Sequence, residues 1–326
     1  MKVTVLGAGA WGTALAKLLH DGGHAVSLWV YEPECLEQIR STGRNEMYLP
    51  GIDLPRDWQL HLDPLRALAD AELVVAAVPS SPFRKATACL ASFTGGIVTV
   101  TKGIEFDTGL TMTGVLQQIA PRAEVACLSG PTLALEVARG IPTAIVTASA
   151  SPELAARVQG LFHRPTFRVY TSSDVLGVEL GGALKNVMAI AAGVCDGLEF
   201  GDNSKAALIT RGIAEMRRLG VACGAQPETF AGLSGIGDLT VTCFSKLSRN
   251  RGFGERIGRG ETPETILAHR ASVAEGYPTA RAAHALGRRL GVDTPIIDEV
   301  HAMLYENKNA QRALHDLIAR TSKAED

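Results

Sequence analysis

The stretch KVTVLGAGAWGTAL, from Lys2 to Leu15, constrains the fold more than any other part of this chain. An apolar run, Val3-Thr4-Val5-Leu6, leads into Gly7-x-Gly9-x-x-Gly12, and an apolar helical pattern continues through Leu15, Leu18 and Leu19. Each glycine has a mechanical reason in a dinucleotide-binding turn. Gly7 makes the tight bend, Gly9 lets a pyrophosphate approach the backbone, and Gly12 lets the helix pack on the strand. Ala10 and Trp11 lie between the last two glycines, where a helix N-terminus offers unpaired N–H groups and partial positive charge. Glycine turns also join strands to helices for purely structural reasons, so it is the correct context on both sides that carries this reading.

Alternation of strand and helix patterns continues beyond that unit. Strand patterns occur at Lys2–Leu6, Ala25–Val30, Leu73–Val78, Ile97–Thr101, Val125–Ser129, Ala144–Thr147 and Thr166–Tyr170. Several are near-continuous apolar runs, as expected of strands covered on both faces of a parallel sheet. Helical stretches such as Trp11–Asp21, Pro82–Ala91 and Pro152–Leu161 lie between them. Residues 1–171 therefore read as an α/β dinucleotide-binding domain with a doubly wound (Rossmann-like), mostly parallel sheet. Past Thr171 the strand signal stops. Ser173-Asp174 supply an N-cap for a long helix of small residues, Val175 to about Cys195. Ala206–Leu219, Pro263–Ala268, Tyr277–Leu290 and Pro295–Tyr305 read as further helices. Residues 172–326 are expected to form an all-helical domain, with the site in the cleft between the two halves.

Composition removes several function classes. The 326 residues carry a formal net charge of −2, so no global field recruits nucleic acid or an anionic membrane. The sequence shows no apolar run approaching the roughly 20 residues of a spanning helix, and no signal-peptide pattern at its start. Six scattered cysteines form no CxxC pair, and eight dispersed histidines form no HExxH. The expectation is a cytoplasmic protein with reduced thiols and no metal site. A homodimer is compatible with the sequence, but nothing in it specifies one.

Candidate site residues gather at the predicted strand ends. Glu32 lies twenty residues past Gly12, where a carboxylate would meet the ribose hydroxyls and disfavour a 2′-phosphate. It equally suits the first turn of a helix starting at Pro33. The AAVPSSPFR strand end, Ala76–Arg84, places a proline stop at the ligand-binding edge of the sheet. Lys102, in VTKGIE, can bind an anion or polarise a carbonyl, or it can be a solvated rim lysine. The sixth strand ends in SGPTLALE, with free N–H groups and the Thr132 hydroxyl.

In the second half, Lys185 sits in ELGGALKNVMAIAAG with no carboxylate on its own helix face. Burial would lower its pKa toward a proton-shuttling range, and snorkelling to solvent is the ordinary alternative. GLSGIGDLTVTCFSKLSRNRGFG places Asp238 in a glycine-rich turn and then gathers Ser248, Arg249, Asn250 and Arg251. Paired donors with a guanidinium fork suit a phosphate or carboxylate dianion. Five basic residues between Lys246 and Arg259 would also suit nucleic acid, but they lack interleaved aromatics beyond Phe253.

With these motifs in order, the chain resembles bacterial-type NAD(P)-dependent glycerol-3-phosphate dehydrogenases over almost its whole length. The resemblance rests on GAGAWGTALA, NEMYLPG (Asn45–Gly51), AAVPS, TKGIE, SGPT, GGALKNV, GLSGIGDLTVTC, SRNRGFG and VAEGYPTA. It implies reversible reduction of dihydroxyacetone phosphate to sn-glycerol 3-phosphate with NADH or NADPH, supplying glycerol phosphate for phospholipid synthesis. It implies Lys185 as the catalytic acid/base, and Lys102, Gly130, Thr132, Lys185, Asp238, Ser248, Arg249 and Asn250 as substrate contacts. Gly7, Gly9, Ala10, Trp11, Gly12, Tyr31, Glu32, Lys102, Ala134, Arg249, Val273 and Glu275 would border the cofactor.

The resembled family usually carries a basic residue at the second-strand end, where this chain has Tyr31 and Glu32. That departure leans toward NAD. Two alternatives remain open at this point. One is a related dehydrogenase acting on a carboxylate substrate, which would lack the SRNR anchor. The other is a non-catalytic sensor of NAD(H), against which an unpaired Lys185 argues.

Overall fold

The computed structural model describes residues 1–268 and 274–321. Eight strands make one sheet: β1 (Lys2–Leu6), β2 (Ala25–Trp29), β3 (Gln59–His61), β4 (Leu73–Ala76), β5 (Gly96–Thr99), β6 (Glu124–Ser129), β7 (Thr143–Ser149) and β8 (Phe167–Ser172). Their order is β3-β2-β1-β4-β5-β6-β7-β8. All neighbours are parallel except β6 and β7, which run antiparallel. Central β4 and β5 are buried at every position, which is why they read as unbroken apolar runs. The chain order reverses beside β1, between β2 and β4, and opens a crevice at the carboxyl ends of the strands. β3 escaped the sequence reading because three residues are too few for a period of two to register.

Helices α1 (Ala10–Asp21), α2 (Pro33–Thr42), α3 (Pro64–Ala67), α4 (Phe83–Thr87), α5 (Met112–Ile119), α6 (Ala134–Ala138) and α7 (Pro152–Phe162) fill the connections within the sheet region. Beyond Ser172 the described residues form no strand. They form α8 (Val175–Gly197), α9 (Asp202–Ala222), α10 (Asp238–Phe244), α11 (Arg249–Gly258), α12 (Pro263–Ala268), α13 (Gly276–Leu290), α14 (Pro295–Tyr305) and α15 (Ala310–Ile318).

The second half is organised around α8. Asp174 caps it, accepting a 2.9 Å hydrogen bond from the Gly177 N–H, and residues Gly177 to Cys195 are all buried. Against the expectation of no such run, α8 is long and apolar enough to cross a membrane. It is instead the central helix of a bundle, apolar on every side because other helices cover every side. Helix α11 lies almost backbone to backbone with it. A Cβ on Gly193 would sit 1.9 Å from the Arg251 carbonyl oxygen, and one on Gly254 would sit 1.9 Å from that of Ile190.

The sheet and its flanking helices enclose their own apolar clusters, and the helices beyond Ser172 enclose another. Ile104, from the loop after β5, reaches into that helical core. Buried Glu179 of α8 accepts the Thr113 N–H (2.9 Å) and the Thr113 hydroxyl at the start of α5. The two halves are thereby held in one fixed relation at the base of the cleft.

Candidate active site

The glycine turn has the shape a phosphate needs. Gly7 has φ +110°, and a Cβ there would lie 2.8 Å from the Ala77 carbonyl oxygen. A Cβ on Gly12 would lie 2.0 Å from the Gly7 carbonyl oxygen, so this position closes the turn against the helix. Gly9 caps α1 without any side-chain cap bond, and space around it is open. Backbone N–H groups from Ala10 onward therefore start a helix with no side-chain cap among the described residues competing for an anion. Half-buried Trp11 adds an indole N–H that is buried and has no partner among the described residues. On the far side of β1, the Glu32 carboxylate accepts a 2.9 Å hydrogen bond from the Tyr48 hydroxyl. Tyr31 is 74% exposed and packs edge-on against Trp29. Glu32 is also the residue before Pro33, at the start of α2, as the helix-start reading expects.

Across the cleft, three charges meet. Lys102, following β5, donates to the Gly130 carbonyl (3.0 Å) and to Asp238 Oδ2 (2.5 Å). Lys185 Nζ lies 3.0 Å from Asp238 Oδ1 and donates to Thr242 Oγ1 at 2.7 Å. Thr242 in turn donates to the Asp238 carbonyl at 2.6 Å. Asp238 is 1% exposed and Lys185 7% exposed. The lysine therefore does not snorkel, and it is not unpaired: its carboxylate comes from α10, invisible to a search along its own helix. Burial pushes the Lys185 ammonium down to about 8, with Asp238 pulling upward and Lys102 adding to the fall.

Other expected residues fall around this cluster. Gly130 has φ +147°, and its carbonyl also accepts the Thr132 hydroxyl at 3.1 Å. Ala134 begins α6, which packs beside α1. Ser248 caps α11, accepting the Arg251 N–H at 3.2 Å, and Arg249 is the first residue of that helix. Asn250 is engaged within the protein. Its amide donates to Asn186 Oδ1 (2.8 Å), and its carbonyl accepts the Gly276 N–H (2.8 Å).

Arg251 does not join the expected donor group. It turns to Asp196 (2.6 Å) and Glu255 (3.4 Å), because residue 251 faces the end of α8 rather than the cleft. Glu275 accepts the Ser80 N–H at 3.0 Å and the Ser80 hydroxyl, tying the β4 end to the start of α13. Burial raises its carboxyl pKa, partly offset by Ser80 and by the charge of Arg249. Val273 lies outside the described residues.

Sequence reasoning missed Thr242, Asn186 and Ser80. Thr242 stands four residues after Asp238, so the helical i,i+4 relation could have found it. A cavity of about 1010 Å³ does not coincide with the lysine cluster. It lies beside the Ser80–Glu275 contact, between α4, the loop after β5 and α13, and none of the expected site residues lines it. Geometry and charge, not cavity size, point to the lysine cluster. Among the described residues no group of three or more His, Cys, Asp or Glu could hold a metal, and the six cysteines are free.

Comparison with known proteins follows the same division of the chain. A family model described as the N-terminus of NAD-dependent glycerol-3-phosphate dehydrogenase matches residues 2–155, and one described as its C-terminus matches residues 174–315. A glycerol-3-phosphate dehydrogenase (NAD(P)+) of Citrifermentans bemidjiense is 49% identical, over 99% of this chain and 98% of its own. One from Chlorobium phaeobacteroides is 47% identical, over 100% of this chain and 99% of its own. The crystal structure of glycerol-3-phosphate dehydrogenase from Coxiella burnetii superposes with a TM-score of 0.94 at 36% identity, covering 98% of this chain and 99% of that one.

Proposed function

The chain belongs to the NAD-dependent glycerol-3-phosphate dehydrogenase family, and from that premise we propose how its residues divide the work. It is an NAD(P)-dependent oxidoreductase that interconverts dihydroxyacetone phosphate and sn-glycerol 3-phosphate. The single observation that carries the assignment of roles is the buried Lys185–Asp238–Lys102 cluster. Nicotinamide, when bound, supplies or accepts the hydride at the central carbon of the substrate.

Everything else falls to the chain itself. During ketone reduction the Lys185 ammonium gives a proton to the developing alkoxide: an N–H bond breaks and an O–H bond forms. In the reverse direction the neutral amine takes that proton back. Asp238 and Thr242 fix the amine, and the Lys102 charge stabilises the oxyanion as it grows. Ser248, Arg249 and Asn250, with the first N–H groups of α11, meet the phosphate. Gly130 and Thr132 shape the floor. Anchoring the phosphate holds the reacting carbon at a fixed distance from Lys185.

The cofactor fits the opposite wall. The open Gly9, the uncapped start of α1 and the orphan Trp11 N–H suit a pyrophosphate and its neighbours. Glu32 and Tyr31 would meet the adenosine ribose, which favours NAD over NADP. Lys102, Ala134, Arg249, Val273 and Glu275 complete the border. We place the division of labour at residues 1–171 and 172–326, a boundary supported by β8 ending at Ser172 and α8 starting at Val175. Free thiols throughout are in keeping with a cytoplasmic enzyme.

Lys185→Met tests the assignment. Turnover of dihydroxyacetone phosphate is expected to fall by about a hundredfold or more, while NADH binding, read by fluorescence titration, stays within about twofold. Turnover within tenfold of the parent would remove Lys185 from the acid/base role.

A further inference from the structure

The segment Asn45–Gly51, NEMYLPG, is one motif that the reaction leaves unused, although it lies between α2 and β3 beside the cofactor crevice. Asn45 is fully buried, and both ends of its amide are engaged. Its nitrogen donates to the Ala8 carbonyl in the glycine turn (2.8 Å) and to Thr13 Oγ1 in the first turn of α1 (2.9 Å). Its oxygen accepts the Tyr48 N–H (3.2 Å) and the Cys35 thiol (3.5 Å). Three residues on, the Tyr48 hydroxyl donates to Glu32 Oε1 at 2.9 Å. A continuous chain of hydrogen bonds thus runs from the phosphate turn through Asn45 and Tyr48 to the carboxylate beyond β2.

We propose that Tyr48 is a specificity-determining positioning residue, which holds the Glu32 carboxylate where it accepts a ribose 2′-hydroxyl and refuses a 2′-phosphate. The proposal rests on the reading that Glu32 meets the adenosine ribose. Refusal needs a carboxylate that cannot move. A glutamate side chain has three rotatable bonds, and a free one would swing away from a phosphate instead of opposing it. Tyr48 removes that freedom by occupying Oε1, and Oε2 has no partner among the described residues, leaving it for a hydroxyl. Asn45 sets the distance of this brace from the glycine turn, so the phosphate end and the ribose end of the site are built to one scale. Burial and the bond to Glu32 push the Tyr48 hydroxyl up to about 12, so it remains a donor across any ordinary assay pH.

The experiment compares kcat/KM for NADH and NADPH in the parent, Tyr48→Phe, Glu32→Gln and the double variant, with thermal melts of each. Tyr48→Phe keeps the ring and loses only the hydroxyl. It is expected to reduce the NADH-over-NADPH preference about three- to tenfold, the net worth of one ordinary hydrogen bond, because the hydroxyl acts on the cofactor only through the carboxylate. The change should appear in KM, with kcat and melting temperature unchanged. The double variant should match Glu32→Gln alone, because the hydroxyl acts only through the carboxylate. A parent-like preference in Tyr48→Phe, beside a lost preference in Glu32→Gln, would overturn the brace and leave the Glu32 reading standing. A parent-like preference in Glu32→Gln would overturn both.

Discussion

Burial and charge act in opposite directions on Lys185, and the balance between them sets its chemistry. Loss of solvent lowers the ammonium pKa, the Asp238 carboxylate raises it, and the group settles at about 8. Glu215 of α9 shows the mirror case. It is 1% exposed and accepts the Ile296 and Ile297 N–H groups at the start of α14, yet burial still lifts its carboxyl to about 7. A folded-state pKa above the unfolded one contributes stability that is complete at low pH and is lost as pH rises through about 7. Relative to Glu215→Gln, the parent should therefore lose about 3 kcal/mol between roughly pH 4 and pH 8. Urea melts across that range would show it, and parallel pH curves for the two proteins would contradict it. At this scale the sequence reading located the groups better than their partners. Lys185 and Asp238 were both identified, but the pairing depends on two helices far apart in the chain and on a carboxylate that no local pattern reveals. Asn250 reads as a substrate donor because asparagine beside arginine suits an anion. Its further bonds to Asn186 and Gly276, which fix its amide and leave one N–H for the proposed phosphate contact, are a tertiary fact.

Among the elements, α8 and α11 decide where the chemistry stands. Glycines at their crossing let the two backbones touch, which places Ser248 at the α11 start in fixed relation to Lys185 one helix away. The two glycines of α11 that flank Phe253 should respond oppositely to alanine. Gly254→Ala drives a methyl against the Ile190 backbone and is expected to cost about 3 kcal/mol or more, because neither helix can yield. Gly252→Ala meets nothing within 4 Å and should gain about 0.5–1 kcal/mol through helix propensity. Chemical denaturation of both variants checks the contrast, and equal effects would contradict the close packing. Most helices and strands were legible because their periodicities are long and clean; Pro263–Ala268 and Pro295–Tyr305 have the expected bounds. Direction was not: nothing in the β7 pattern distinguishes an antiparallel neighbour from a parallel one. Arg251, the fourth residue of SRNR, reads from sequence as one of the same donor group, and helical geometry turns it to Asp196 instead.

In the whole molecule, the site exists only because two separately cored halves dock. Lys185 and Asp238 come from the helical side, and Lys102, the charge proposed to stabilise the oxyanion, comes from the sheet side, so only the docked halves bring all three together. Glu179 on Thr113 and Glu275 on Ser80 fix the docking from either end of the seam. In the proposed mechanism this docked cluster presents a lysine that titrates near 8 and moves the proton in both directions. The most direct test is the pH dependence of kcat for ketone reduction and for alcohol oxidation, each in the parent and in Lys185→Met. Reduction needs the ammonium, so its rate should fall as pH rises through about 8. Oxidation needs the free amine, so its rate should rise through the same region, and the residual activity of Lys185→Met should show neither limb. Flat profiles between about pH 6.5 and 9.5, or the same inflection surviving in Lys185→Met, would contradict the claim.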